Sequence, residues 1–109
     1  MPDKKYHLRY LPIFYDDLNE TIMYIAENLQ SKQAALSLLG SIEKAIIERL
    51  PVAEAFEKYK SKKDRRYPYY RIYVKNFIVF YVVIKDEGAE PIMEVRRLLY
   101  NKKNYKEYI

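Results

Sequence analysis

The chain of 109 residues has no cysteine, one histidine and two glycines. Without cysteine there is no disulfide framework, thiolate nucleophile or thiolate metal site, and a reducing cytoplasm is the natural setting. A structural zinc site needs several Cys or His ligands at defined spacing, so His7 alone makes no metal site. It reads as structural or exposed. No metal or other cofactor is expected. Nor is there an apolar run near the ~18 residues of a membrane span, and the N-terminus MPDKKYHLRY lacks the apolar core of a signal peptide. A soluble, unprocessed protein with no membrane partner is expected, folded as one domain over residues 1–109.

What the chain does have is charge, and it is placed unevenly. Residues 1–54 hold six basic against eight acidic side chains, net −2, whereas residues 55–109 hold fourteen against seven, net +7. A cationic half of this kind meets phosphates or an acidic protein partner. As a bare count it is also compatible with a lysine-rich solvated surface.

The apolar pattern divides the chain in the same place. Tyr6 to Leu11 alternates like a short strand near a sheet edge. Pro12 suits a first helical position, and Asp16 and Asp17 fall in the early turns, where the helix dipole favours acids. Phe14, Leu18, Ile22, Ile25 and Leu29 then repeat at spacings of three and four, which predicts one buried stripe. Ser31 suits the N-cap of a second helix with its own stripe of Ala35, Leu38, Leu39, Ile42, Ile46 and Leu50, ended by Pro51. Within it, Gly40 predicts close approach of the first helix. A hairpin this regular reads as scaffold.

The connection that follows crowds Lys58, Lys60, Lys62, Lys63, Arg65 and Arg66 together and reads as a mobile, solvated loop. Beyond it the period changes to two. Tyr69, Arg71, Tyr73 and Lys75 share one face of a strand, with Tyr70, Ile72 and Val74 on the other. The continuous apolar run Phe77 to Ile84 suits a central strand, reached by a turn at Lys75-Asn76 and left by a turn at Asp86-Glu87-Gly88. A last strand from Pro91 to about Tyr100 sets Met93, Val95, Arg97 and Leu99 on one face and Ile92, Glu94, Arg96 and Leu98 on the other. An arginine on an apolar face either answers an acid or opens onto a site. The tail, Asn101 to Ile109, reads as a short helix or arm carrying cations and two tyrosines.

The fold class is thus α+β: an N-terminal strand, an antiparallel helical hairpin, a three-stranded antiparallel meander and a short C-terminal helix or arm. That order resembles the RelE/ParE toxins of type II toxin–antitoxin systems over essentially the whole chain. Two stretches make the likeness specific. Tyr70-Arg71-Ile72-Tyr73-Val74-Lys75-Asn76-Phe77-Ile78-Val79-Phe80-Tyr81 is similar to the family's Tyr-Arg strand, turn ending in Asn or Gly, and hydrophobic strand closing on Phe-Tyr or Leu-Tyr. Arg97-Leu98-Leu99-Tyr100-Asn101-Lys102-Lys103-Asn104-Tyr105 is similar to the arginine, two aliphatics, His or Tyr, basic pair and Asp that end ParE-like members, with Asn101 and Asn104 in place of the Gly or His and the Asp seen in many of them.

The resemblance implies a cognate antitoxin whose C-terminal segment covers the basic surface, a toxin–antitoxin hetero-oligomer, and an essential cytoplasmic target. Two activities stay open, inhibition of DNA gyrase as in ParE-like toxins and ribosome-dependent cleavage of mRNA as in RelE-like ones. A non-toxic basic RNA-binding domain is the third reading. Cleavage without a metal needs a base, a cation for the phosphorane and an acid. The candidates are Arg71, Arg97, Lys103 and Tyr105, where neighbouring cations could lower a Lys or Tyr pKa. Ile78 stands where RelE-like enzymes place a phosphate-binding arginine, which moves the balance toward the ParE-like branch. Tyr73, Lys75, Tyr100, Lys102 and Tyr108 are the candidates for binding target or antitoxin.

Overall fold

The computed structural model describes residues 5–60, 66–86, 88–102 and 105–109. Strand β1 (His7–Tyr10) leads into helix α1 (Pro12–Met23), which continues as a π-helical turn (Tyr24–Asn28). Helix α2 (Lys32–Arg49) follows, then β2 (Lys58–Tyr59), β3 (Tyr69–Val74), β4 (Phe77–Ile84) and β5 (Ile92–Tyr100), with a closing 3-10 turn at Tyr105–Glu107. The strands form one mixed sheet in the order β1-β5-β4-β3-β2. Neighbours within β2 to β5 are antiparallel, while β1 lies parallel to β5 at its edge. Among the described residues no helix is long and apolar enough to cross a membrane.

Both helix boundaries follow from local chemistry. Pro12 needs no intrahelical donor at the first position of α1, and the Ser31 hydroxyl accepts the Ala34 N–H at 3.2 Å to cap α2. Between them Gln30 turns the chain with a left-handed φ of 51°. The two helices pack their stripes against one face of the sheet. Phe14, Leu38, Ile42 and Ile46 meet Tyr70, Ile72, Val74, Val79, Tyr81, Met93, Val95 and Leu98 there, all buried.

The other face has a second core of Tyr69, Ile78, Phe80, Val82, Leu99 and Ile109. The apolar run of β4 therefore serves both faces, as expected of a central strand. Among the described residues no helix covers this outer face. It is closed by Tyr59, Tyr67 and Tyr105, with the buried Ile109 folded into it, so the tail is packed structure as well as a carrier of cations.

Several expectations give way. The stripe of α1 does not extend to Leu29, which is 59% exposed, because the π turn rotates the chain off the helical repeat. Asp16 and Asp17 lie beyond the first turn of α1, so the dipole is not what fixes them. Nothing lies within 4 Å of a Cβ built on the exposed Gly40, so no close approach of α1 requires that glycine. Part of the connection read as a loop is ordered, for Lys58 and Tyr59 pair with Tyr70 and Tyr69. Lys62, Lys63 and Arg65 lie outside the described residues.

The largest departure concerns β5. Its pairing with β4 slips between Phe80 and Tyr81, where Arg97 faces Phe80 while Val95 faces Tyr81. Arg96 is the extra residue of a β-bulge, which breaks the strict alternation. Met93, Val95 and Leu98 consequently share the helix side, whereas Leu99 belongs to the outer core.

Candidate outer-face site

On the outer face the arginines differ in whether a carboxylate answers them. Glu94, 4% exposed, accepts from both Arg9 and Arg96. Burial pushes its carboxyl up, but the two guanidinium groups outweigh that and hold it below the ordinary carboxylate range. Arg97 binds Asp17 of α1 through Nε at 2.8 Å and Nη2 at 3.0 Å, and Asp17 also accepts the Leu98 N–H at 3.0 Å. Those bonds to Asp17 raise the Arg97 pKa against the opposing effect of burial. Asp17 thus ties the helical hairpin to β5. The guanidinium carbon of Arg97 lies 5.2 Å from the ring centre of Tyr108.

Arg71 is different. Its guanidinium lies 4.9 Å from the Tyr59 ring centre and 5.7 Å from that of Tyr73, with no carboxylate partner among the described residues. Such stacking leaves the in-plane N–H donors of the guanidinium free for a carboxylate or phosphate. The backbone beneath is fixed from the other side of the sheet. At the end of α2, Arg49 Nη1 donates to the Arg71 carbonyl at 3.1 Å and to the Tyr81 hydroxyl at 2.9 Å, and that hydroxyl donates to the Ala53 carbonyl at 2.7 Å.

Tyr59 is the hub of this end of the face. Tyr105 meets it edge-on at 6.1 Å between ring centres and tilts against Phe80 at 5.5 Å. Arg71, Tyr73 and Tyr105 therefore gather around one ring. Burial, followed by the neighbouring Tyr105 phenol, pushes the Tyr59 hydroxyl up despite the opposing charge of Arg71. Tyr6 rises to about 12, by burial first and then its hydrogen bond to Glu54. Tyr10, Tyr70 and Tyr81 also move upward, chiefly by burial. Where a tyrosine shift is resolved, its direction keeps the phenol protonated, so these hydroxyls act as donors rather than bases.

The remaining candidates lie toward the other end of the sheet. Lys75, in the β3–β4 turn with a left-handed φ of 53°, donates to the Ser37 hydroxyl of α2 at 3.2 Å. Tyr100 is 41% exposed and tilts against Phe77 at 5.5 Å, and Lys102 follows in the exposed turn. Lys103 lies outside the described residues. The structure thus brings Arg71, Tyr73 and Tyr105 together and pairs Arg97 with Tyr108, while Lys75, Tyr100 and Lys102 stand apart from the Tyr59 cluster.

Sequence reasoning missed Tyr59, Asp17 and Arg49 as parts of the site. The alternation Lys58-Tyr59-Lys60 was the available signal for Tyr59. Nothing in the helical repeat marks Asp17 or Arg49, whose partners are 80 and 22 residues away. Among the described residues no group of three or more His, Asp or Glu side chains could hold a metal ion.

No curated protein matches the chain. Residues 8–99, from β1 to the penultimate residue of β5, match the family model of the ParE toxin of type II toxin-antitoxin systems, parDE, and with that span covering its strands and helical hairpin the chain belongs to the ParE toxin family.

Proposed function

We propose that this ParE-family toxin arrests growth by inhibiting DNA gyrase in the cytoplasm, by binding rather than by chemistry, and that its cognate antitoxin silences it in a hetero-oligomer. The observation that carries the reading is Ile78. It is 1% exposed, opposite Tyr73 on β3 and Leu99 on β5, so the middle of the outer face presents aliphatic packing where phosphate stabilisation would need a cation. The upward shift of Tyr59 agrees, since a phenol held protonated is a poor base for a ribose hydroxyl. Arg97 is already bound to Asp17, which suits a residue that shapes a docking surface.

Arg71 favours a second reading, ribosome-dependent cleavage of mRNA, because its guanidinium between Tyr59 and Tyr73 could hold a phosphate. One pair of assays separates the two. Purified toxin should inhibit gyrase supercoiling at concentrations near that of the enzyme and should leave ribosome-bound message intact. Message cut at catalytic toxin concentrations, with supercoiling untouched, would reverse the assignment.

A further inference from the structure

The strands carry four arginines, and three of them have their charge met within the molecule. Arg9 and Arg96 share Glu94, and Arg97 is bound by Asp17. Arg71 is the fourth, with no carboxylate partner among the described residues. It is nonetheless held in place. Arg49 donates to the Arg71 carbonyl from beneath, and Arg49 is itself fixed by its bond to the Tyr81 hydroxyl and by the Phe56 ring, whose centre lies 3.4 Å from the guanidinium carbon. The Arg71 side chain, half-buried, lies over Tyr59 of β2 and Tyr73 of its own strand. A guanidinium stacked on rings keeps its edge open, and that edge presents parallel N–H donors that fit one planar or tetrahedral anion.

A carboxylate and a phosphate both fit such an edge, and the surroundings choose between them. A nucleic-acid backbone repeats its charge at short intervals and is held by several free cations at once. Across the sheet from Arg71 the next cation is Arg97, with Phe80 between them in the cross-strand row, and Arg97 is closed by two hydrogen bonds to Asp17. Toward the β3–β4 turn the next residue on this face is Tyr73, which is 59% exposed, with the buried Ile78 opposite it. One unanswered guanidinium flanked by tyrosines is the composition of a protein-interface centre, where Arg and Tyr supply much of the affinity. The Tyr59 phenol, which burial keeps protonated, adds no competing negative charge.

Resting on the gyrase reading above, we propose that Arg71 is the specificity anchor of the target interface, and that its partner is an aspartate or glutamate of gyrase set among apolar side chains. The carboxylate accepts two parallel hydrogen bonds from the guanidinium edge, and its apolar neighbours pack on Tyr73. The site recognises a protein carboxylate and not a nucleic-acid backbone. Selectivity comes from the stacked fork as well as from the positive charge, so lysine is not an equivalent residue here.

The test measures binding of the full-length toxin to purified gyrase without DNA, by surface plasmon resonance, beside inhibition of supercoiling. Wild-type binding should weaken only a few-fold between about 50 and about 200 mM salt, whereas a backbone-tracking nucleic-acid complex loses orders of magnitude over that range. Arg71→Lys should weaken both binding and inhibition by about tenfold. Arg71→Glu, which turns attraction into repulsion, should weaken them by about a hundredfold or more. Tyr73→Ala should lose about tenfold at an exposed position that leaves Arg71 in place, and Tyr73→Phe should behave as wild type. None of these changes removes the Arg49 bond to the Arg71 carbonyl, and circular dichroism verifies that the variants are folded. Folded Arg71→Glu that inhibits gyrase as well as wild type would overturn this proposal and leave the gyrase reading standing. A wild type that neither binds nor inhibits gyrase would remove both. Arg71→Lys equal to wild type would show that charge alone suffices and would overturn the fork. A single-stranded oligonucleotide held by the wild type with steep salt dependence and released by Arg71→Glu would make the occupant nucleic acid, which overturns the proposal as well.

Discussion

The two faces of the sheet are stabilised in different ways. The inner face is buried by helices through long-range aliphatic and aromatic contacts, with Phe14, Ile42 and Ile46 each 1% exposed. Among the described residues the outer face has no helix. Its core is closed by tyrosines from β2, from the segment before β3 and from the tail, and its cations are held by Glu94, by Asp17 or by aromatic rings. Dense apolar packing makes the inner face costly to alter. The outer face is a shallower layer whose polar groups remain available, which is what a toxin that must meet a target and an antitoxin requires.

Truncating one side chain on each face tests this contrast most directly. Phe14→Ala should cost about 4 kcal/mol by leaving a cavity under α1, whereas Tyr105→Ala should cost about 1 to 2 kcal/mol because that ring is partly exposed. Urea unfolding of both variants gives the comparison, and equal losses would make the outer layer as much a core as the inner. The tail also bears on function. Removing residues 102–109 would take away Tyr105 and the buried Ile109 together with its cations, so loss of toxicity on truncation would mix folding with binding. Lys102→Ala separates the two, since that side chain is exposed.

Next in size is the tie between the faces. Arg97→Ala strands the Asp17 carboxylate against the Leu98 N–H without its counter-charge and should cost about 3 kcal/mol. The further change Asp17→Asn should return a large part of that loss, and a double-mutant cycle by thermal unfolding measures the coupling. Strictly additive losses would show that the pair does not couple hairpin and sheet.

A smaller effect distinguishes the faces by pH. Because the folded-state pKa of Glu94 lies below that of the unfolded chain, its contribution is complete above the ordinary carboxylate pKa and is lost as pH falls through the depressed value. Glu94→Gln should therefore cost about 1 to 2 kcal/mol at neutral pH and little in acid. Stability measured from neutral to acidic pH should fall less steeply in the variant. A parallel fall in both proteins would mean that Glu94 is not linked to folding.

The smallest predicted change is a gain. Gly40→Ala places a methyl in open space on an exposed turn of α2 and should stabilise by about 0.5 to 1 kcal/mol. A loss in thermal unfolding would show that the added methyl is not in open space.

The sequence by itself determined the α+β order, the hairpin, the two-residue turn at Lys75-Asn76 and the double-sided character of β4. Each is set by spacing, caps and turn residues within a few positions of one another. It also concentrated the cations in the second half, and its two motifs carried the resemblance to the toxin family. Tertiary structure alone decided what lies opposite what. A bulge is a property of pairing between strands, so nothing in residues 91–100 read singly announces that Leu98 crosses to the helix side after Arg96. The same holds for Arg97, whose carboxylate partner is 80 residues earlier, and for Arg71, whose freedom depends on Tyr59 and Tyr73 lying beside it with no carboxylate partner among the described residues. Local chemistry writes helices, turns and strands into a sequence, whereas charge pairing and stacking exist only once distant segments share a surface.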